Sequence, residues 1–362
     1  MLLDDPHAER QCRDDLDALP GLTWRPLGRD DLPEVAALYA ECETYDANPE
    51  RQSLADLEEY WDSPRSRPDE DTLLGRDEAG AAVAVAWSGC NRAVTERRGV
   101  HLGGAVRPDR RGQGIGRAVL RWQLAHGLAW DAASREDDYG PLVLRLYAPT
   151  GQDDVRDLAT RHGLVVERFF FELSRRLDDI DPGTSGPVVP GVRLVGWDPT
   201  RGPELHRFVD LAFRDHWGHV DRTEEMWAEH VGSHAFRADW SVLALDEETG
   251  AVVGSAINCA WEQDWAVQGY TEGYTDELAV AASHRGRRIG SALLAESMRR
   301  FAAAGLDAAG LGVDADNASG ALHLYEALGY RPTAATCVHE LTRPISQPAT
   351  SPARDRDASP GR

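Results

Sequence analysis

The sequence predicts two tandem α/β domains, each built on a mixed sheet flanked by helices. The first observation is a repeated phrase, AVRPDRRGQGIGRAVL at 105–120 and AVAASHRGRRIGSALL at 279–294, in which each residue of the second copy stands 174 positions after its counterpart in the first. The second is that strand and helix patterns come in the same order on both sides of residues 178–191, which are rich in Pro, Gly and Asp and typical of a linker. In each half, early strands precede a strand–helix–strand crossover, which indicates a mixed sheet.

The first half contains the elements of one such unit. Runs of β-branched and aromatic residues predict strands, and apolar residues at helical spacing predict helices. The predicted strands are 22–27, 81–90, 101–106, 141–148 and 164–177. The predicted helices are 29–42, 112–130 and 152–162. We expect the last strand, 164–177, to close the first unit.

The second half repeats this order. Its predicted strands are 192–197, a hairpin within 241–260, 274–280, 308–316 and 335–341. Its predicted helices are 203–217, a helix that follows the glycine turn and runs to residue 304, and 318–328. The stretch 261–273 is expected to be a loop.

These patterns predict the domain boundaries. Residues 1–21 form an N-terminal arm, either loose or a helix docked on the first domain. The predicted order is then a first domain at 22–178, a linker at 179–190 and a second domain at 191–342. Residues 343–362 have almost no apolar side chains, which predicts a disordered tail.

Composition narrows the range of partners and compartments. Among 362 residues, 39 Lys and Arg oppose 61 Asp and Glu, a net charge of −22. This charge disfavours nucleic acid and anionic membranes as partners; it suits a cationic amine, although acidity also serves solubility. No apolar run is long enough to span a membrane, and the N-terminus lacks a basic signal region, so we expect a cytoplasmic protein. Five scattered cysteines without a C-x-x-C pair indicate neither disulfides nor a metal site.

Each repeated phrase places a glycine-rich turn before a helix. Backbone N–H groups and the helix dipole at such a turn favour an anion. The spacing fits neither the dinucleotide fingerprint nor the phosphate loop of nucleotide-binding proteins; it fits a pyrophosphate held by amides and arginines. The predicted first cradle is Ala105, Val106, Arg111, Gly112, Gln113, Gly114, Ile115 and Gly116. The predicted second cradle is Arg285, Gly286, Arg287, Arg288, Ile289, Gly290 and Ser291.

The turns resemble the acyl-CoA pyrophosphate loop, R/Q-x-x-G-x-G/A, of the GNAT superfamily of N-acetyltransferases. Residues 317–330, NASGALHLYEALGY, are similar to the later GNAT motif N-x-x-A-x-x-L-Y-x-x-x-G-F. The resemblance covers nearly all of 22–342. Two copies in tandem resemble the actinobacterial acetyltransferases of the mycothiol synthase-like group. The resemblance implies two GNAT-like domains, each with a mixed, mostly antiparallel sheet.

The resemblance also implies a reaction and its residues. Acetyl-CoA would be the cosubstrate, and its acetyl group would pass directly to the primary amine of a small molecule. Tyr325 would be the acid that protonates the leaving thiolate, and Asn317 would orient the cofactor arm. The main chain at Leu278, Ala279 and Val280 would hold the thioester oxygen.

The two copies differ where chemistry is expected. Asp276 and Glu277 could deprotonate or bind an amine, whereas Leu102 and Gly103 stand 174 positions earlier. They could equally be solvated residues on a strand face. We predict Glu277 as a catalytic residue, and with Ala159 opposite Tyr325 we predict that the second domain is the catalytic one. The first domain would bind CoA without turnover or serve as a structural half.

Polar and aromatic side chains suggest where the acceptor binds. We predict Asp215, His216, Trp217, Glu272 and Asp276 as substrate-binding residues. His216 could instead be a helix cap. Aromatic side chains beside carboxylates in the stretch 261–273 would suit a cationic amine, and would equally suit ordinary loop packing.

Two other functions compete with the enzyme. Arg288 replaces a usual glycine in the second turn, which motivates a non-catalytic acyl-CoA-binding regulatory module as the alternative. An aminoacyl-tRNA-using transferase is disfavoured by the net charge of −22 and the lack of a basic stripe. The expected assembly is a monomer or a homodimer.

Overall fold

A computed structural model describes residues 7–184, 186–316 and 321–344. Its strands are β1 (Leu22–Arg25), β2 (Thr72–Asp77), β3 (Ala82–Cys90), β4 (Arg98–Val106), β5 (Leu142–Pro149), β6 (Val165–Arg176), β7 (Val192–Gly196), β8 (Val242–Asp246), β9 (Val252–Cys259), β10 (Glu272–Val280), β11 (Ala308–Asp314) and β12 (Arg331–Arg343). Its helices are α1 (Ala8–Asp17), α2 (Leu32–Tyr45), α3 (Leu54–Asp62), α4 (Pro68–Asp71), α5 (Ile115–Ser134), α6 (Asp153–Arg161), α7 (Gly202–Phe213), α8 (Glu224–Gly232), α9 (Glu262–Gln268), α10 (Ile289–Ala303) and α11 (Ala321–Ala327).

All the strands join one sheet in the order β1-β2-β3-β4-β5-β12-β6-β11-β10-β9-β8-β7. Of the strand pairs in the described part of the chain, only β4–β5 and β10–β11 are parallel. The predicted fold, two tandem α/β units with mixed and mostly antiparallel sheets, is therefore confirmed. Each parallel pair sits at the same place in its half, with a helix crossing between its strands.

The last strand of each half lies in the other half. The expectation that 164–177 closes the first unit was wrong, because β6 pairs with β11 and β12. The strand beside β5 is instead β12, from the end of the chain. Since β6 and β12 also pair with each other, the exchange leaves neither half with an unpaired central edge. The predicted domain boundaries at residues 178 and 191 describe only the order of the two units along the chain, and they stay a prediction.

Helices cover the two faces of the sheet differently. One face, here called the back, packs α5 against β3 and β4, and α10 against β9, β10 and β11. The opposite face, the front, carries α2 and α3 in the first half, where apolar side chains including Val85 and Trp87 pack beneath them. In the second half, α7 and α8 take this place over Leu243 and Ile257. The centre of the front face is lined by polar side chains rather than by a helix.

Several local expectations need correction. The stretch 262–268 is a helix (α9) and not a loop, and β10 begins at Glu272, two residues before the predicted strand. Helix α7 ends at Phe213, before the predicted residue 217. Of the two interpretations of the arm, the docked helix is the one observed: Cys12 and Leu16 of α1 are buried in the first-half core. The pattern of apolar and polar residues was too weak to predict strand β2 and helices α3, α4 and α8.

No helix of the described residues is both long enough and apolar enough to cross a bilayer. The predicted tail beyond residue 344 lies outside the described residues.

Candidate active site

The two glycine turns have the same backbone. Gly112 and Gly114 have φ of 73° and 85°, and Gly286 and Arg288 have φ of 77° and 62°. Helices α5 and α10 begin at the next residue in each case. Arg288 is thus held in the left-handed region, which costs a non-glycine residue about 1 kcal/mol. The turn keeps its shape despite the missing glycine, so the arginine is tolerated at the price of local strain.

The second turn is open to solvent. Residues 285–288 are exposed, while Ile289 is buried beneath them. The first four N–H groups of α10 have no intrahelical acceptor, so they are available to an anion together with the helix dipole. The Arg285 Nε donates to the Val280 carbonyl (3.4 Å), and Arg287 Nη2 donates to the Pro190 carbonyl (2.9 Å). Ser291 is half-buried in the first turn of α10, and Asn317 lies outside the described residues.

The first turn differs from the second because its arginine is paired with an acid. Arg111 binds Asp46 through both terminal nitrogens, at 2.5 and 2.9 Å, and its Nε donates to the Val106 carbonyl (2.9 Å). Such a bidentate pair uses the donors that a phosphate would need. The amides at Gly112 and Gln113 remain exposed. The first cradle therefore keeps its backbone nest but has its main cation already neutralised.

Beside each turn the parallel strands separate. Pairing between β10 and β11 ends at Thr275 with Leu311, although β10 continues to Val280. On its other side β10 stays paired with β9, through Leu278, Ala279 and Val280. In an antiparallel ladder alternate N–H groups point away from the partner. At least one N–H of this stretch therefore faces the gap, where it can donate to a thioester oxygen.

An extra residue in β10 brings two carboxylates to the front face. The register against β9 shifts between Thr275 and Glu277, so Asp276 is the inserted residue of a bulge. Bulges re-aim side chains in this way. Here the bulge lets Glu277 and Asp276 both approach His230 of α8, at 3.5 and 3.7 Å.

Glu277 is fully engaged by cations. Arg222 forms an ion pair with Glu277 Oε1 and donates to Oε2 from Nη1 (3.3 Å). Burial by itself would raise the pKa of Glu277, but His230 and Arg222 outweigh it and lower the pKa to about 2. The Glu277 carboxylate therefore stays ionised at neutral pH and is a weak proton acceptor.

Asp276 is in the opposite situation. Its side chain lines a cleft, and burial raises its pKa, with the neighbouring Glu277 charge raising it further and His230 opposing. The charges of Glu277 and Asp276 in turn outweigh burial and raise the pKa of His230. Of the two acids, Asp276 is thus the stronger base at a position that solvent reaches.

Tyr325 lies on α11 behind the gap. It is 8% exposed and packs in the core with Leu294, Met298 and Val313, its ring 6.2 Å from that of Tyr330. Burial raises the pKa of Tyr325 to about 12, so the phenol is protonated at neutral pH. Leu324, next to it, reaches the glycine turn: an added Cβ on Gly290 would lie 3.7 Å from its Cδ2.

The contact between Leu324 and the glycine turn has a counterpart in the first half, which supports the alignment of the two halves. In the first half, an added Cβ on Gly116 would lie 3.8 Å from Leu158 Cδ2. The residue after Leu158 is Ala159, which is completely buried. The first half therefore has a methyl group where the second half has a phenol.

A cavity of about 510 Å³ opens on the front face, between the two halves. Its lining includes six carboxylates, namely Glu50, Asp56, Glu172, Asp264, Glu272 and Asp276. Arg51 is the one arginine or lysine among the lining residues that the structure describes. Its aromatic lining residues are Trp261, Trp265, Tyr270 and Tyr274. The volume is that of a small-molecule site, and the charge favours a cation.

The structure separates the predicted substrate-binding residues into two groups. Glu272 and Asp276 line this cavity. Asp215 and His216 are exposed on the turn after α7, outside the cavity lining. Partial desolvation lowers the pKa of His216, and the charge of Arg285 lowers it further.

Trp217 packs against the first half. Its ring lies 4.8 Å from the Arg145 guanidinium carbon, with those of Arg168 and Arg97 at 5.6 and 5.8 Å. Arg145 in turn donates to Glu340 (2.5 Å). This cluster lies on the front face of β5, β12 and β6, and the half-buried Trp217 is outside the lining of the acidic cavity.

Sequence reasoning missed the residues that the sheet gathers from distant segments. Arg222 and His230 follow α7 in the chain, and Glu172 arrives on the exchanged strand β6. Asp264 is on α9, inside the stretch already singled out for its aromatic residues. That aromatic stretch was the available signal, since Trp261 and Trp265 both line the cavity.

One buried group has the spacing of a metal site. Asp71, Cys90 and His126 place possible ligand atoms within 4.8 Å of one another. Asp71 is paired with Arg92 (2.6 Å) and with His126 (3.0 Å). Burial opposes protonation of His126, but Asp71, Cys90 and Glu9 raise its pKa to about 11. In this structure the three side chains, together with Arg92, are held by a buried ion-pair network.

Comparison with known proteins agrees with this architecture. Residues 203–330 match the Acetyltransferase (GNAT) family. A mycothiol acetyltransferase of Mycolicibacterium vanbaalenii is 30% identical over 231 residues, which cover 62% of this chain and 69% of the relative.

Two solved structures share the fold over most of the chain. The GCN5-related N-acetyltransferase from Sphaerobacter thermophilus superposes with a TM-score of 0.67 at 21% identity, covering 89% of this chain and 96% of its own. A tandem GNAT protein from the clavulanic acid biosynthesis pathway gives a TM-score of 0.63 at 18% identity, with 89% and 98% covered. The chain belongs to the GNAT acetyltransferase family and is an acyl-CoA-dependent N-acetyltransferase.

Proposed function

We propose that the chain transfers the acetyl group of acetyl-CoA to the primary amine of a small molecule, and that the second half performs the transfer. The observation that carries this proposal is the acid-lined cavity, whose lining includes Asp276, the residue that follows the last β10–β11 pair. A cationic amine entering the cavity would meet a carboxylate next to the place where the thioester is expected.

Within this site we assign the base to Asp276 and not to Glu277. A base must accept the proton of the ammonium group, and the raised pKa of Asp276 suits that task. Glu277, held by Arg222 and His230, anchors the bulge. A main-chain N–H between Leu278 and Val280 would stabilise the oxyanion.

We assign the acid that protonates the CoA thiolate to Tyr325, whose phenol is neutral at working pH. Direct transfer is supported by the state of the nearest thiol. Cys259 is buried at the end of β9, and burial raises its pKa well above the usual value. A thiol in that state is a poor nucleophile, so a covalent acyl-enzyme is disfavoured.

The first half is proposed to be non-catalytic. Leu102 and Gly103 replace the two acids, and Ala159 replaces the phenol. On its front face Arg145 and Trp217 lie together, outside the acid-lined cavity. The first glycine turn keeps free amides, so this half either holds CoA without turnover or completes the fold and the cavity wall.

The proposal is tested by release of free CoA from acetyl-CoA in the presence of a panel of primary amines, with the acetylated product identified by mass spectrometry. We expect thiol release that depends on the amine and yields an N-acetyl product. Release at the same rate without any amine, or transfer to hydroxyl compounds only, would contradict the proposed acceptor class.

The names of the relatives support a second candidate acceptor. Proteins about 30% identical to this chain are mycothiol acetyltransferases, so the acceptor of that reaction belongs in the same panel. A kcat/KM for it well above that of every simple amine would make this chain an enzyme of the same specificity.

A further inference from the structure

We propose that the acceptor is an aliphatic polyamine, with one amine at Asp276 and a second ammonium group held between Glu272 and Glu172. This inference rests on the proposed function and adds the substrate class. It starts from the charge of the cavity lining, where six carboxylates face one arginine. That arginine, Arg51, already lies 3.6 Å from Glu43, so it does not balance the others.

Glu272 is a buried acid of this lining without a compensating cation. It is 9% exposed, and the Ser174 hydroxyl donates to its Oε1 (2.5 Å). Its second carboxylate oxygen has no cation or hydrogen-bond donor among residues 7–184, 186–316 and 321–344. A buried carboxylate without a counter-charge is costly. A ligand cation entering the cavity would supply that charge.

Glu172 reaches the same place from the exchanged strand. It accepts a hydrogen bond from the Tyr274 hydroxyl (2.9 Å). The side chains of Glu272 and Tyr274, both on β10, can extend over the neighbouring strand β11 because that strand has glycines beneath them. A Cβ added to Gly310 would lie 2.5 Å from Glu272 Oε2, and a Cβ added to Gly312 would lie 2.8 Å from the Tyr274 hydroxyl. The glycines of β11 thus leave room for Glu272 and Glu172 to lie close together.

Asp264 of α9 repeats the pattern elsewhere in the cavity lining. It is 7% exposed, and one carboxylate oxygen accepts from the Arg51 main-chain N–H (2.7 Å). No side-chain cation pairs with it in the described part of the chain. Several carboxylates at different places suit a ligand whose charges are spread along its length. The indole rings of Trp261 and Trp265 offer apolar and cation–π surface to the methylene stem and its ammonium groups.

The test compares matched amines at saturating acetyl-CoA. For the wild type we expect kcat/KM for 1,4-diaminobutane or spermidine to exceed that for butylamine by at least about tenfold. Glu272→Gln, which keeps the shape of the side chain, should lower this ratio by about tenfold. Glu172→Gln should lower it in the same direction. Glu248→Gln, on the exposed β8–β9 turn, is the matched control and should leave the ratio unchanged.

The outcomes distinguish this inference from the proposed function. If no amine of any kind releases CoA, the proposed function fails. If butylamine and diaminobutane are acetylated equally well by the wild type, the polyamine inference is overturned while the function stands. An unchanged ratio in both Glu272→Gln and Glu172→Gln would overturn the assigned ammonium site, and circular dichroism of each variant would verify that it is folded.

Discussion

Replacing Tyr325 with phenylalanine is expected to lower kcat for acetyl transfer by about 100-fold, while the dissociation constant for acetyl-CoA changes by less than about twofold. A positioned general acid contributes on the order of 100-fold or more. Phenylalanine keeps the ring in its packing with Leu294 and Met298 and removes only the hydroxyl. Steady-state kinetics and calorimetric titration of acetyl-CoA measure the two quantities.

Tyr330 provides the matched control. It belongs to the same cluster, is completely buried, and its hydroxyl has no hydrogen-bond partner among the described residues. Tyr330→Phe should therefore leave kcat within about twofold and should not destabilise the protein, because no hydrogen bond is lost. Equal rates for Tyr325→Phe and the wild type would remove Tyr325 from the mechanism.

Replacing Asp276 with asparagine is expected to lower kcat/KM for the amine by about 100-fold. The isosteric amide cannot accept the ammonium proton. The wild-type profile should also lose activity as the pH falls through the pKa of Asp276, which is raised above its ordinary value of about 3.9. The active form is the ionised one, so activity is present above that pKa. The acidic limb should be absent in Asp276→Asn.

The neighbouring substitution, Glu277→Gln, should act on stability instead. It leaves the Arg222 guanidinium without its buried counter-charge, and we expect unfolding to become easier by about 2 kcal/mol, since Arg222 is partly exposed. Denaturant unfolding measures this difference. If Glu277→Gln removed the acidic limb and Asp276→Asn kept it, the two roles would have to be exchanged.

Much of the fold follows from local sequence patterns. The glycine turns at 112–114 and 286–288 could be predicted because each precedes an apolar helix in a repeated phrase. The conformation of Arg288 could not be predicted from its identity, since arginine only rarely adopts φ above zero. The surrounding turn imposes that conformation through its match to Gly114.

The exchange of β6 and β12 is invisible to the sequence. Each strand can be predicted from its own residues, but whether it pairs with β5 or with β11 cannot. Local propensity determines that a strand forms, whereas its neighbours depend on the whole sheet. The exchange has a functional consequence, because it brings Glu172 into the second-half cavity.

The two carboxylates of β10 could be predicted from the sequence only in part. Asp276 and Glu277 could be selected as candidates from their place before the glycine turn. Their different roles depend on a bulge and on Arg222 and His230, which come from other elements. Residue spacing therefore selected the two candidates, and only their three-dimensional partners distinguish the proposed base from the proposed anchor.

The central claim is that turnover depends on the second phosphate cradle and not on the first. The most direct test is kcat/KM for acetyl-CoA in Gly286→Val and Gly112→Val. Both glycines have positive φ, 77° and 73°, and no atom of the described residues lies within 4 Å of an added Cβ, so valine strains the two turns alike. We predict a loss of at least about tenfold for Gly286→Val and of less than about twofold for Gly112→Val. A large loss in Gly112→Val, with normal turnover in Gly286→Val, would contradict the account.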